Sequence, residues 1–288
     1  MPAARKKAMF FTVKDGKALC SLCHHLCAIS ESKRGWCGVR LFDGEVLVSE
    51  NYGMLTAIHD DPIEKKPLYH FMPGTRTLSI GTFGCNMRCP FCQNHAISCA
   101  RPEAVRPAAE FVEPQEVVNI ALSRGFPSIS YTYNEPSIYY EYVYDTARIA
   151  NEAGIRNILV TNGHLNESPL LQLLPYVDAM NIDLKTMDAG HYREMGGSLE
   201  TVQRTIRLTA AQAHVEVAWL AVPGISADIV QVEQAAKFLA SVDPAIPLHI
   251  NRYYPNYKYN EPPTSIEFLY QAAEKAGKYL SHVHVGNV

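Results

Sequence analysis

Cys85, Cys89 and Cys92 lie within Gly81 to Asn94, GTFGCNMRCPFCQN, at spacing C-x3-C-x2-C. Three thiolates this close share one tight loop and can bind one metal centre. A four-iron cube takes four ligands, and cysteine thiolate is the usual one. Three cysteines leave one iron open, and an open coordination position marks a chemical site, whereas a closed one is structural. Gly81 and Gly84 let the backbone bend before the first ligand. The competing readings are a structural zinc knuckle or chance clustering, and three cysteines in eight residues are rarely accidental.

A second set, Cys20, Cys23, Cys27 and Cys37, has spacing C-x2-C-x3-C-x9-C. Four thiolates on two short turns suit a closed tetrahedral zinc site and equally an iron–sulfur cluster. The spacing does not decide between them. His24 and His25 read as solvated turn residues rather than ligands. Cys99, the remaining cysteine, stands alone.

Elements must bring such residues together. From Thr77 onward the chain alternates apolar strands with amphipathic helices, the signature of a parallel sheet with right-handed crossovers. Strands are predicted at 78–81, 128–132, 156–161, 178–185, 214–220 and 247–251, with YLSHVHV as a last one. Pro114 suits the first turn of a helix ended by Gly125. Thr264 with Glu267 reads as a capping box opening the last helix. About six strand–helix units predict an open, partial (β/α)6 TIM-like barrel. Residues 1–50 form a separate cysteine-rich segment and 51–288 the barrel. The stretch 51–76 reads as turns, with Asp60, Asp61, Glu64, Lys65 and Lys66 on a solvated surface.

Functional groups of α/β barrels gather at the carboxyl ends of strands. Those ends here deliver Tyr131, Tyr133, Asn134 and Glu135, then Thr161 and Asn162, then Asn181, Asp183 and Lys185, then Asn251, Arg252, Tyr253 and Tyr254. Asp183 and Lys185, two apart, share a face, where a buried ion pair is the plainer reading. The tyrosines read mainly as rim packing.

The chain has 288 residues, 47% of them apolar, and a net charge of −3. That balance argues against a dominant nucleic-acid surface. MPAARKKAMF is basic but lacks the apolar core of a secretory signal, and no apolar run reaches the about 20 residues of a membrane span. A soluble, cytoplasmic protein is expected, with clustered cysteines binding metal in a reducing compartment rather than forming disulfides.

The cysteine spacing, with Phe91 just before the last ligand, resembles the radical S-adenosylmethionine (radical SAM) superfamily. The order CNMRCPFCQN, YTYNEP, VTNG, NIDLK is similar to the pyruvate formate-lyase activating enzymes. Closer still, the N-terminal cysteines, YNEPSIYYEY, the VPG turn and the terminal HVGNV resemble the AmmeMemoRadiSam-system radical SAM proteins, over about residues 18–288. The resemblance implies an incomplete (β/α)6 barrel, a [4Fe-4S] cluster on Cys85, Cys89 and Cys92, and SAM at the open iron. Glu135 is expected to face the SAM ammonium and Lys185 its carboxylate. Thr161, Asn162 or Asp183 would hold the ribose, and the backbone near Phe91 the adenine. Tyr133 and Asn134 would complete the ring. Tyr254 stands in RYYP where relatives carry histidine in an RFHP-like stretch. Relatives also often run beyond the position of Val288, sometimes with more cysteines.

The implied chemistry is one-electron cleavage of SAM to a 5′-deoxyadenosyl radical, which takes hydrogen from a small or protein-borne substrate. An electron donor such as flavodoxin or ferredoxin is the expected partner. A glycyl-radical-enzyme activase and a metal-thiolate module without turnover are the competing expectations.

Overall fold

The computed structural model describes residues 5–99 and 102–288. Residues 5–50 fold into two small antiparallel sheets. β2 (Phe11–Lys14), β3 (Lys17–Cys20) and β4 (Ala28–Ser30) form one. β1 (Lys6–Lys7), β6 (Leu47–Ser49) and β5 (Arg40–Phe42) form the other. A two-stranded ribbon pairs β7 (Met54–Leu55) with β10 (Glu110–Phe111).

The main sheet has eight strands in the order β16-β15-β14-β13-β12-β11-β9-β8. They are β8 (Ala57–Pro62), β9 (Arg76–Gly81), β11 (Ser128–Tyr131), β12 (Arg156–Thr161), β13 (Ala179–Asp183), β14 (His214–Ala221), β15 (Leu248–Arg252) and β16 (Val283–Gly286). From β9 to β16 every neighbouring pair is parallel. Short runs such as Asn157-Ile158-Leu159 are buried because a parallel sheet is covered on its outer face by the crossover helices.

Those helices are α3 (Pro114–Ser123), α4 (Tyr140–Glu152), α5 (Glu167–Leu173), α7 (Leu199–Ala210), α8 (Ile229–Val242) and α9 (Ile266–Ala276). Short helices α1 (His95–Ser98), α2 (Pro102–Val105) and α6 (Ala189–Glu194) sit in the connections. Each long helix buries one apolar stripe, as Val232, Ala235, Ala236 and Leu239 do in α8.

Three expectations change. The stretch read as turns contains β8, which runs antiparallel along β9 from Ala57↔Gly81 to Pro62↔Arg76. Its AIHDDP sequence hides it, because its charges find their partners only in the fold: Asp60 pairs with Arg76, and Asp61 with Lys65, Lys66 and the Tyr133 hydroxyl. The last helix is capped by Ser265, whose Oγ accepts the Phe268 N–H at 3.2 Å. The Thr264 hydroxyl is already committed: it accepts the Tyr253 N–H at 3.1 Å and donates to the Ala221 carbonyl. Finally, His24 and His25 are half-buried rather than solvated. The His24 Nε2–H donates to the Gly196 carbonyl at 3.0 Å, and the His25 Nε2–H to that of Asn86 at 2.8 Å.

These histidines belong to a continuous seam between the cysteine-rich segment and the barrel. Asn166 Nδ2 donates to the carbonyls of Ser21 and Cys23. Gly84 has φ +91°, and a Cβ there would lie 2.9 Å from the Cys37 carbonyl oxygen. Only glycine fits so close a backbone approach at positive φ. Arg40 and Glu141 are each 1% exposed and form an ion pair across the same seam. Arg40 also donates to the Met9 carbonyl, and the Met9 N–H to Glu141. Among the described residues, no helix is long and apolar enough to cross a membrane.

Breaking one half of a buried ion pair leaves an uncompensated charge, at a cost of about 3–5 kcal/mol. Arg40→Met is expected to lose stability on that scale in urea unfolding. Arg40→Met with Glu141→Leu is expected to recover most of it. Equal losses in both variants would show that the charges are not paired in solution.

Candidate active site

A cavity of about 650 Å³ opens at the carboxyl ends of the barrel strands. One wall is the loop that follows β9. Gly81 begins it, where a Cβ would sit 2.6 Å from the Thr132 carbonyl oxygen. The side chain of Asn134 clamps the loop from the next strand: its Oδ1 accepts the Thr82 N–H at 2.9 Å, and its Nδ2 donates to the Gly84 carbonyl at 3.0 Å. Cys85, Cys89 and Cys92 then all line the cavity, with Phe91 beside them.

The Cys85 sulfur accepts the Met87 N–H at 3.3 Å and Asn162 Nδ2 at 3.7 Å. Such donors stabilise a thiolate and tune a metal it binds. Burial pushes the Cys85 thiol up, and the nearby Glu135 charge adds to the shift. Burial likewise pushes Cys89 up to about 11. Cys92 is raised first by its hydrogen bond with Cys99 and then by burial. A cation must therefore displace protons to bind here. Cys99, isolated in the sequence, sits beside Cys92 but is not among the residues lining the cavity.

Among the described residues, no three His, Cys, Asp or Glu side chains converge closely enough to hold a single metal ion. In a four-iron cube each thiolate takes a different iron, so its sulfurs stand further apart. Three cavity-lining thiols, one of them with two N–H donors, fit that group. The four N-terminal cysteines lie near enough for their charges to act on one another. Cys23 is pushed up to about 12, by burial first and then by Cys37, Cys20 and Cys27.

The neighbouring strand ends complete the cavity. Glu135 is buried, and its Oε1 accepts from the Ser137 N–H and the Thr161 hydroxyl, its Oε2 from the Asn162 N–H at 2.8 Å. Burial raises its pKa and these donors oppose the rise. Thr161 thus spends its hydroxyl on Glu135 and does not line the cavity. Asn162 does, and is itself oriented by donating to Asn86 Oδ1 at 2.8 Å. Lys185 Nζ pairs with Asp183 Oδ2 at 3.0 Å, and both line the cavity. Burial alone would lower the Lys185 pKa, but Asp183 and Cys89 raise it, so the ammonium persists.

Tyr254 lies elsewhere. It is 43% exposed, and its hydroxyl donates to the Asn287 carbonyl and accepts from Arg252. Tyr253 points inward after β15, so its neighbour points out.

The structure adds residues that the sequence reading left on the surface. Lys66 is 3% exposed and lines the cavity, with Nζ 2.6 Å from Asp61 Oδ2. Tyr133, at φ +70°, donates its hydroxyl to the same oxygen at 2.6 Å. Asn181 and Asn251, already expected at strand ends, line the cavity too. For Asp61 and Lys66 the available signal was two opposite-charge doublets, Asp60-Asp61 and Lys65-Lys66, within one short stretch, which solvated turns also show.

A parallel α/β barrel sheet with three cysteines beside its strand-end cavity defines a class, and comparison with known proteins agrees. The profile of the radical SAM superfamily matches residues 79–239, and the chain belongs to that superfamily. It is 40% identical over 289 aligned positions to the uncharacterized protein MJ0808 of Methanocaldococcus jannaschii, covering 98% of this chain and 85% of that one. MJ1632 of the same organism carries the provisional description of a glycyl-radical enzyme activating enzyme. It is 28% identical over 217 positions, covering 72% of this chain and 79% of its own. Streptococcus suis SuiB bound to S-adenosylmethionine shares the fold, with TM-score 0.57 at 14% identity, over 74% of this chain and 51% of SuiB. Membership implies a [4Fe-4S] cluster and SAM.

The cavity wall rests on a neutral histidine. His164 Nε2 accepts the Ser198 N–H, so its proton sits on Nδ1 and is donated to the Asn162 carbonyl at 2.8 Å. Burial pushes His164 down to about 3 and its ring neighbour His24 down to about 4. An unfolded histidine titrates near 6.5. As pH falls below about 6.5, the unfolded chain takes up protons first, so stability present above that value is lost toward pH 4. The urea midpoint is expected to drop between pH 7.5 and 5, and His164→Gln to flatten that dependence. A slope identical in both proteins would remove His164 as its source.

Proposed function

We propose that this chain is a radical SAM enzyme in which Cys85, Cys89 and Cys92 ligate the [4Fe-4S] cluster, leaving one iron without a protein ligand. The observation that carries this reading is that all three line one cavity with Asn162, Asp183 and Lys185. When bound and reduced, the cluster and SAM supply a 5′-deoxyadenosyl radical by one-electron cleavage of the sulfonium, and that radical takes a hydrogen atom from substrate. The chain's own part is to bind, orient and exclude solvent. Lys185, kept charged by Asp183, is the cation for the SAM carboxylate. Asn162 and Asp183 are in reach of its ribose, and Phe91 and Tyr133 flank the same space. Glu135 retains lone pairs for the ammonium while holding Asn162 and Thr161 in place. Val160, Ala218 and Leu220 give the interior apolar walls.

The N-terminal residues Cys20, Cys23, Cys27 and Cys37 hold a second metal in this reading, zinc or iron–sulfur. Their support is mutual proximity beside buried Arg40, whose Nη1 lies 4.0 Å from the Cys20 sulfur. Residues 1–50 then act as a metal module on a barrel of 51–288, in the reducing cytoplasm. The electron comes from a small redox protein such as a flavodoxin or ferredoxin. Activation of a glycyl-radical enzyme is the second reading, supported by the likeness to MJ1632. A glycyl-radical signal in electron paramagnetic resonance after mixing with a candidate partner would favour it.

Anaerobic reconstitution with iron and sulfide, followed by dithionite and SAM, is expected to yield methionine and 5′-deoxyadenosine. Cys89→Ala is expected to lower that yield by more than about 100-fold, since even outer-shell partners of a metal ligand are worth 10–100-fold. Cys99→Ala is expected to keep both iron and cleavage. Unchanged SAM with the wild-type protein would leave a metal-thiolate module as the better description.

A further inference from the structure

The opposite mouth of the barrel, at the amino ends of its strands, is rich in imidazole. Five of the chain's eleven histidines gather there. His214 opens β14, His249 and His284 stand second in β15 and β16, His282 precedes β16, and His70 lies on the segment that leaves β8. None of these five is among the residues lining the strand-end cavity. One buried carboxylate organises the group. Glu216 accepts the Nε2–H groups of His214 at 3.0 Å and His249 at 2.6 Å, and the backbone N–H groups of Tyr69 and His70. Burial alone would raise its pKa, but these four donors hold it below the ordinary carboxylate range. His214 and His249 have thus spent their Nε2 atoms on Glu216.

His70 and His284 instead face each other, with their Nε2 atoms 2.8 Å apart. One ring donates its proton to the other. The same spacing is the bite of a metal ion: two nitrogens, each about 2.0 Å from one ion and at a right angle to each other, stand about 2.8 Å apart. Right angles between nitrogen ligands belong to square-planar and tetragonal ions such as Ni(II) and Cu(II). Both rings are held in place. The His70 backbone N–H is fixed on Glu216 at 2.8 Å. His284 is paired with His249 in the β15–β16 ladder, and their rings stack with centroids 5.1 Å apart. Burial and the neighbouring imidazoles outweigh the Glu216 charge and keep both rings below the ordinary histidine value. A neutral imidazole is the form that binds metal. The donor ring needs only to move its proton from Nε2 to Nδ1. His70 is exposed, so an ion can arrive from solvent.

The pair also spans a gap. β8 and β16 are the two ends of the eight-stranded sheet, and His70 and His284 belong to those two ends. We propose that His70 and His284 bind one divalent transition-metal ion of the Ni(II) or Cu(II) type, with water in its remaining positions, and that this ion clasps the open edges of the barrel on the face opposite the cavity. The proposal stands apart from the reading of the cavity. Two protein ligands are the full set, because among the described residues no three such side chains converge on one point. His282, with its ring centroid 4.4 Å from that of His70, is a neighbour and not a ligand.

Equilibrium dialysis of the full chain, reconstituted anaerobically with iron and sulfide, against radioactive Ni(II) tests this. The wild type is expected to bind one Ni(II) per chain more than the double variant His70→Gln with His284→Gln, a difference that removes any nickel taken by the cysteines. Each single variant is expected to weaken that binding by more than about tenfold, since even outer-shell partners of a metal ligand are worth 10–100-fold. His282→Gln is expected to stay within about threefold of the wild type. Ni(II) is expected to raise the melting temperature of the wild type and to leave that of the double variant unchanged, because only a protein that binds the ion when folded is stabilised by it. Melting without nickel at the wild-type temperature shows that a variant has folded, and either single variant suffices if the other does not. Equal nickel uptake by the wild type and the double variant overturns the proposal. Equal weakening by all three single variants does so too, because it describes a loose imidazole surface that holds adventitious ions.

Discussion

Two adjacent side chains hold the candidate site together. Asn134 grips the loop after β9 through Thr82 and Gly84. Glu135 grips the end of β12 through Thr161 and Asn162. Both follow β11, which lies between those strands. Three strand ends are thus locked in register by one dipeptide. The constraint is strict because the groups involved are buried, and a buried polar group without a partner costs more than a made hydrogen bond returns. Asn162, held this way, then donates to the Cys85 sulfur, so the clamp reaches the first cysteine.

The same logic governs the charges. Arg40 meets Glu141 where the N-terminal segment joins the barrel, Lys185 meets Asp183 at the mouth of the cavity, and Glu216 collects four N–H donors beneath it. Each pairing joins segments far apart in the chain or neighbours on one strand end.

Much of the site was visible in the residue order. Strand-end positions followed from the apolar runs, and Cys85, Cys89, Cys92, Phe91, Tyr133, Asn134, Glu135, Asn162, Asp183 and Lys185 all line one cavity. Less visible was what each does there. Thr161 and Asn134 turned out to be internal braces, because their hydrogen-bonding capacity is consumed by neighbours. Tyr254 faces solvent, which a one-residue phase in the turn after β15 decides. His24 and His25 looked like free turn residues, since the carbonyls that receive them lie at Gly196 and Asn86.

By itself the amino-acid order determined the alternation of strands and helices and the cysteine spacing, because periodicity and local ligand geometry act over a few residues. Tertiary structure alone decided that β8 closes the sheet edge and that Asp61 and Lys66 belong to the interior. Charged doublets carry no periodic signal. Their burial depends on whether a distant strand and a distant tyrosine arrive to share the charge, and that is settled only when the chain has folded.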